Sequence, residues 1–278
     1  MSDSVVGGAG RGELSEPSAV IDGLRPVIDG AQCNWLWLAE ISRWERALDL
    51  GSGAAAQAAG LAERFTTVHC SRLERRLLGH TWTELTADGY ANIAPVRSTP
   101  VELPYRDSAF DCVTLDDVCA RMLAGAGEGA FRALPDRLLQ ECRRVLRPGG
   151  CLYAMISNPH WWGRTASRRR RSGNVEPPPG SFSGTVPHAG HRPGASSAKR
   201  FLGLKQRLTG AGFSLVRVYC TELVGGRPPC IVPLDRRAVL AYEGLSREVS
   251  PFSRVRRFLA WIGLGRVLYP SLIYLAYR

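Results

Sequence analysis

The apolar positions of the chain change period several times along its length. Short apolar runs read as buried strands: Ala47–Leu50, Thr66–Cys70, Ile93–Val96, Phe110–Leu115 and Cys151–Ile156. Between them, apolar residues recur every three to four positions, as on one face of a helix. These helical stretches are the alanine-rich 54–64, a segment opening at Leu73, and Leu134–Leu146. In the last, Leu134, Leu138, Leu139, Cys142, Val145 and Leu146 share one side and arginines take the other. Gly149-Gly150 is the expected stop of that helix. Ahead of the first strand, Ile21, Leu24, Ile28, Trp35, Leu38 and Ile41 predict a helix within 18–46. Residues 1–17, with little apolar content, read as a loose tail.

Strand–helix–strand alternation predicts an α/β fold, a doubly wound, mostly parallel sheet with helices on both faces. In such sheets a ligand binds beyond the carboxyl ends of the strands, where the strand order reverses. The alternation stops after Ser157. Residues 159–200, rich in Gly, Pro, Ser, Arg and His and including Pro177-Pro178-Pro179, predict a long basic insertion acting as a lid. A helix is expected over Phe201–Ala211, ended by Gly212, and a sixth strand over Ser214–Glu222. Residues 223–270 read as a helical insertion, with helices at Arg236–Gly244 and Arg254–Leu264, before a closing strand at Ser271–Tyr277. The expectation is a seven-stranded sheet in a single domain over 18–278.

Composition narrows the classes. The chain has 278 residues, 45% hydrophobic and 22% charged, which excludes disorder throughout. Eight cysteines without a C-x-x-C pair speak against a disulfide scaffold and a structural zinc site. Most sit in apolar runs and read as buried, reduced thiols of a cytoplasmic protein. The amino terminus lacks the basic start and apolar core of a secretory signal. Phe258–Tyr277 is the one long apolar stretch, and Gly263, Gly265, Arg266 and Pro270 interrupt it. It reads as a helix followed by a strand, not a membrane span, with a weak interfacial membrane contact left open. Net charge is +11 and almost all arginine, Lys199 and Lys205 being the only lysines. Arg164, Arg168, Arg169, Arg170, Arg171, Arg192, Lys199 and Arg200 face only Glu176 within 163–200. Such a patch attracts anionic groups, or is simply a solvated loop. Trp161-Trp162 beside it is either a stacking wall for a sugar or base, or a lid anchor.

Three motifs carry chemistry. In Ala47-Leu48-Asp49-Leu50-Gly51-Ser52-Gly53-Ala54-Ala55, an apolar strand enters a glycine turn and then a helix. Glycines admit a ligand close to the backbone, and the helix start offers free N–H groups. The second motif is Leu103-Pro104-Tyr105-Arg106-Asp107-Ser108-Ala109-Phe110-Asp111, and the third Arg144-Val145-Leu146-Arg147-Pro148-Gly149-Gly150. In this order and spacing they resemble the class I S-adenosylmethionine-dependent methyltransferases, with their D-x-G-x-G-x-G loop, L-P-F-x-D-x-S-F-D segment and R-V-L-x-P-G-G turn. The resemblance covers residues 34–158. Asn34-Trp35-Leu36-Trp37-Leu38, the 202–213 stretch and Ile231-Val232-Pro233-Leu234 are also similar to a bacterial subgroup tied to sugar and natural-product pathways.

The resemblance implies S-adenosylmethionine as cofactor. Asp49, Gly51, Ser52 and Gly53 would form the loop against its methionine portion, and Thr99 with Pro100 would lie by its adenine. Asp116 would flank the methyl-bearing sulfur. The sequence departs from the family in three places. Ala55 replaces the third loop glycine, Thr99 replaces an acid, and Arg72 stands where an acid usually holds the ribose hydroxyls, with Glu74 the nearest carboxylate. For an oxygen acceptor a general base is needed, and Asp117 after the fourth strand and His160 after the fifth are placed for it. Each also has a structural reading: Asp117 as a helix cap, His160 as a loop histidine packed among tryptophans. The expected activity is methyl transfer to a small-molecule or glycan-like acceptor, with anionic groups favoured by the basic patch. The alternative is the same fold with a decayed or repurposed pocket, as a non-methylating enzyme or an auxiliary subunit. Nucleic acid is disfavoured, because the basic residues cluster in one Pro-rich loop. A homodimer contact through the carboxyl-terminal helices is open.

Overall fold

The computed structural model describes residues 31–50, 56–72, 75–115, 135–158, 161, 203–222, 230–245 and 253–278. The tail at 1–17, the start of the expected first helix and all of the lid except Trp161 lie outside them.

Eight strands form one sheet: β1 (Arg46–Asp49), β2 (Thr67–Arg72), β3 (Ile93–Arg97), β4 (Phe110–Leu115), β5 (Leu146–Ser157), β6 (Leu215–Glu222), β7 (Cys230–Pro233) and β8 (Ser271–Tyr277). Their order is β3-β2-β1-β4-β5-β8-β6-β7. The first five are mutually parallel. β8 runs antiparallel between β5 and β6, and β7 is antiparallel to β6 at the edge. The helices are α1 (Ala56–Ala62), α2 (Arg75–Ala87), α3 (Asp136–Val145), α4 (Leu204–Gly210), α5 (Arg236–Leu245) and α6 (Ser253–Trp261). Among the described residues no helix is long and apolar enough to cross a membrane.

The two-residue period of a strand sorts its side chains into two layers. Leu48, Val113, Leu115, Leu152, Ala154, Leu272 and Tyr274 face one core, with Leu138, Leu139, Leu204, Leu208, Val239 and Ala260 from α3 to α6. Ala47, Cys112, Cys151, Tyr153, Ile273 and Leu275 face the other, with Trp35, Ala58, Leu61 and Leu85. Helices therefore cover both faces, as the doubly wound reading expected. Cys33, Cys70, Cys112, Cys142, Cys151 and Cys220 are buried free thiols.

Four details correct the sequence reading. The expected helix in 18–46 is, among the described residues, a 3₁₀ helix at Ala31–Leu38, and residues 39–45 are not helical. The apolar spacing there reflects contacts with the sheet, Trp35 stacking on Tyr153 at 4.1 Å and Ile41 being buried. The sheet has an eighth strand, β7, inside the supposed helical insertion. Its four residues are too few to show a period, and Pro233 is tolerated at an edge. α3 ends at Val145, and β5 starts at once. Gly149-Gly150 thus shape the strand entry. Gly149 has φ +77°, and a Cβ on Gly150 would meet the Arg147 carbonyl at 2.9 Å.

The second and third motifs form two clamps. Asp111 Oδ2 accepts the backbone N–H groups of Glu45 (3.1 Å) and Arg46 (2.9 Å), while Oδ1 accepts from Arg147 Nη1 at 2.8 Å. Arg144 donates to the carbonyls of Leu103 and Tyr105 and to Asp107 and Glu141, and Glu141 Oε2 accepts the Leu103 N–H at 2.9 Å. The 103–108 loop is thereby tied to α3.

Removing a carboxylate that satisfies buried donors leaves them unpaired. Asp111→Ala should lower the unfolding free energy by about 3 kcal/mol. Arg137→Ala, which loses only the exposed 3.9 Å pair with Glu102, should change it by less than about 0.5 kcal/mol. Urea midpoints of the two variants check both.

Candidate cofactor site

The strand order reverses between β1 and β4, so a ligand cleft belongs beyond their carboxyl ends. Asp49, the last residue of β1, is fully buried there. Its Oδ1 accepts a hydrogen bond from Thr114 Oγ1 at 2.8 Å. The Leu50 N–H donates to the Thr114 carbonyl at 2.9 Å, which keeps the two strands paired up to the edge. Six positions after Leu50, α1 begins at Ala56. The strand and the helix that the first motif predicted are thus present, and the glycine residues between them lie outside the described residues. Cys33 Sγ lies 3.5 Å from the Gln57 carbonyl of α1. Burial, and then the carboxylates of Asp49 and Glu63, push that thiol well above its usual range, so it is no nucleophile.

Arg72 is the last residue of β2 and stands in register with Arg97 of β3. One step earlier, Ser71 Oγ and Ser98 Oγ are 2.5 Å apart, joining the two strand ends. Thr99 is exposed in the following turn, bridged to Glu102, and Pro100 is buried beside it. Asp49, Arg72, Thr99 and Pro100 therefore share the carboxyl edge of the sheet. Gly51, Ser52, Gly53, Glu74, Asp116, Asp117 and His160 lie outside the described residues. Asp116 and Asp117 directly follow Leu115 at the end of β4, and His160 follows Asn158 by two positions.

Two features escaped the sequence reading. Asn158, just past β5, is buried and donates Nδ2 to the carbonyls of Arg266 (2.5 Å) and Tyr269 (2.8 Å). Its backbone N–H donates to Pro270, and its carbonyl accepts from Trp161. It fastens the approach to β8 onto the rim of the cleft. An Asn-Pro pair at a strand end signals a turn, but not these partners. The second is His69 in β2, packed edge-on against Tyr105 and Phe110, with Nδ1 3.3 Å from Tyr105 Oη. Burial, and then the charge of Arg46, hold its pKa below the usual 6.5.

The residues fit a cationic nucleoside ligand at the β1 end. A buried carboxylate at the carboxyl end of a central strand suits a positive charge. At the β2 end the described backbone supplies Arg72 in place of an acid.

Residues 48–154 match the family model described as a methyltransferase domain. Among solved structures, one from Thermotoga maritima is described as an S-adenosylmethionine-dependent methyltransferase, possible histamine N-methyltransferase. It is 10% identical with a TM-score of 0.50, over 94% of this chain and 93% of that one. A SAM-dependent methyltransferase from Aquifex aeolicus is 18% identical with a TM-score of 0.45, over 77% and 90%. The Haemonchus contortus phosphoethanolamine N-methyltransferase 2, in complex with S-adenosylhomocysteine, is 14% identical with a TM-score of 0.49, over 96% and 59%. At 10% identity the Thermotoga maritima structure speaks to fold alone. No curated protein sequence matches the chain. The match over residues 48–154 is thus to a methyltransferase domain, within the region that carries the three motifs.

The depressed His69 pKa has a sign. Between about 6.5 and the lower folded value, the unfolded chain binds a proton that the folded chain does not. His69 therefore opposes folding as pH falls below about 6.5 and leaves stability unaffected above it. His69→Gln should flatten that part of the stability–pH curve, measured by urea midpoints from about pH 5 to about pH 7.5.

Proposed function

We propose that the protein transfers the methyl group of S-adenosylmethionine to an oxygen of a small-molecule or glycan-like acceptor, of the kind handled in bacterial sugar or natural-product pathways. The observation that carries the cofactor half of this reading is the buried Asp49, held by Thr114 at the switch point of the sheet. When bound, the cofactor supplies an electrophilic methyl group on a cationic sulfur.

The chain's own residues do the rest. Asp49 directly precedes Leu50 and the Gly51-Ser52-Gly53 stretch, and its buried carboxylate favours a cation over the β1 end. Ser71 and Ser98 fix the neighbouring strand ends. Methyl transfer asks the protein mainly to hold the acceptor in line and keep water out. An oxygen acceptor must also lose a proton, and Asp117 and His160 follow the ends of β4 and β5 as bases for it. The arginines of 163–200 support an acceptor with anionic groups.

Two measurements test this. S-adenosylhomocysteine should bind at micromolar concentration in calorimetry, and Asp49→Ala should weaken it at least tenfold, about 1.4 kcal/mol. Failure to bind at millimolar concentration overturns the reading in favour of a repurposed pocket. With an acceptor in hand, Asp117→Asn should cut kcat about a hundredfold and leave cofactor affinity unchanged. A normal kcat removes Asp117 from the chemistry.

A further inference from the structure

Five of the nine exposed large hydrophobic side chains among the described residues lie on α6 and the turn after it. Val255 is 45% exposed, Phe258 57%, Trp261 56%, Ile262 43% and Leu264 47%. Positions 255, 258 and 262 recur at three- and four-residue steps, so they line one side of the helix. The other side is spoken for. Ala260 is buried, Leu259 packs on the core, and Arg256 reaches the buried Glu243 of α5 at 2.7 Å. Scattered exposed apolar residues are ordinary, but a contiguous stripe with two aromatic rings is not. Phe258 and Trp261 stand 6.2 Å apart, and the Arg236 guanidinium lies over the Trp261 ring at 5.7 Å.

Charge identifies what suits this stripe. Residues 251–278 contain Arg254, Arg256, Arg257, Arg266 and Arg278 and no acidic residue. Arg236 and Arg237 are exposed on α5, while Glu243 is buried in its pair with Arg256. The one exposed carboxylate on the described part of this flank, Asp235, caps the Ala238 N–H at 2.9 Å. An apolar stripe with tryptophan and phenylalanine, rimmed by arginines, is the composition that lies in a bilayer interface and is drawn to anionic lipid. A second copy of the chain would bring the same arginines against each other.

We propose that α6 and the turn through Leu264 dock the protein on an anionic membrane surface. The chain runs from this turn into Gly265–Leu268, whose end is held to the rim of the cleft by Asn158. Docking therefore sets the carboxyl edge of the sheet beside the bilayer. That the acceptor is then an amphiphile drawn from the lipid rests on the methyl-transfer reading, whereas the docking does not.

Sedimentation of the full chain with phosphatidylcholine vesicles, with and without phosphatidylglycerol, tests the docking without any activity measurement. Binding is expected to the anionic vesicles only and to weaken with added salt. The double variant Phe258→Ser, Trp261→Ser should lower the partition coefficient about tenfold or more, and Val255→Ser, Ile262→Ser should act in the same direction. Unchanged thermal midpoints show that the variants are folded. Absence of binding to anionic vesicles overturns the proposal. So does full binding by both double variants, which would assign the attraction to the basic 163–200 segment. A wild-type dimer that ignores vesicles and becomes monomeric on Phe258→Ser, Trp261→Ser would give the face to a second copy.

Discussion

The Asp111 carboxylate holds together the amino ends of the three central strands. It lies at the start of β4, takes two backbone N–H groups from the entry to β1, and takes Arg147 from the entry to β5. A carboxylate with so little water around it is costly unless its oxygens are filled, and here three donors fill them. Gly150 lets the backbones of Arg147 and Asp111 come close, since a Cβ there would meet the Arg147 carbonyl at 2.9 Å. A side chain at that position would sit 3.1 Å from the Asp111 carbonyl oxygen. At the opposite edge Asp49 and Thr114 keep β1 and β4 paired to their ends.

The most readable motifs in the chain are accordingly scaffold. Asp111 and Arg147, from two separate motifs, are the two halves of that clamp. Glu141 and Arg144 do the same for the loop of the second motif, filling the carbonyls of Leu103 and Tyr105 and the N–H of Leu103. That loop then presses Tyr105 onto Phe110 and His69, ring edges against ring faces. Their contribution to function is indirect. They fix where the carboxyl ends lie, and of the motif residues described, Asp49 and Leu50 of the first motif stand at the carboxyl edge.

The alternation of strands and helices was legible because central parallel strands are buried on both faces and read as continuous apolar runs. Phe110–Leu115 is such a run, with every residue buried. The reading went astray where burial has no period. Trp35 and Ile41 are apolar because they cover Tyr153 and its neighbours, not because they share a helix face. β7 is a short edge strand whose partner is specified by β6, not by its own four residues. At the carboxyl edge, the position of Asp49 was legible because it closes a short apolar strand run just before a glycine pair. Asn158 was not, since the carbonyls that it serves lie more than a hundred residues further along the chain.

The orientation of α6 shows a polar network overriding apolar burial. Turned half way round, the helix would bury Phe258 and Trp261 and return Arg256 to water. Instead Arg256 grips Glu243 through two nitrogens at 2.8 and 2.7 Å, and Tyr269 donates to the same carboxylate at 3.0 Å. Each of these groups is costly to bury alone, and a buried ion pair adds little net stability over apolar packing. Such a network acts instead on geometry, because any other rotation of α6 takes Arg256 away and leaves the buried Glu243 carboxylate with Tyr269 but without its cation. Arg257 reinforces the same rotation by donating to the Glu243 carbonyl at 3.1 Å. The apolar stripe is thus held outward by specific bonds rather than left over by poor packing, and it is held beside the one segment that Asn158 ties to the cleft.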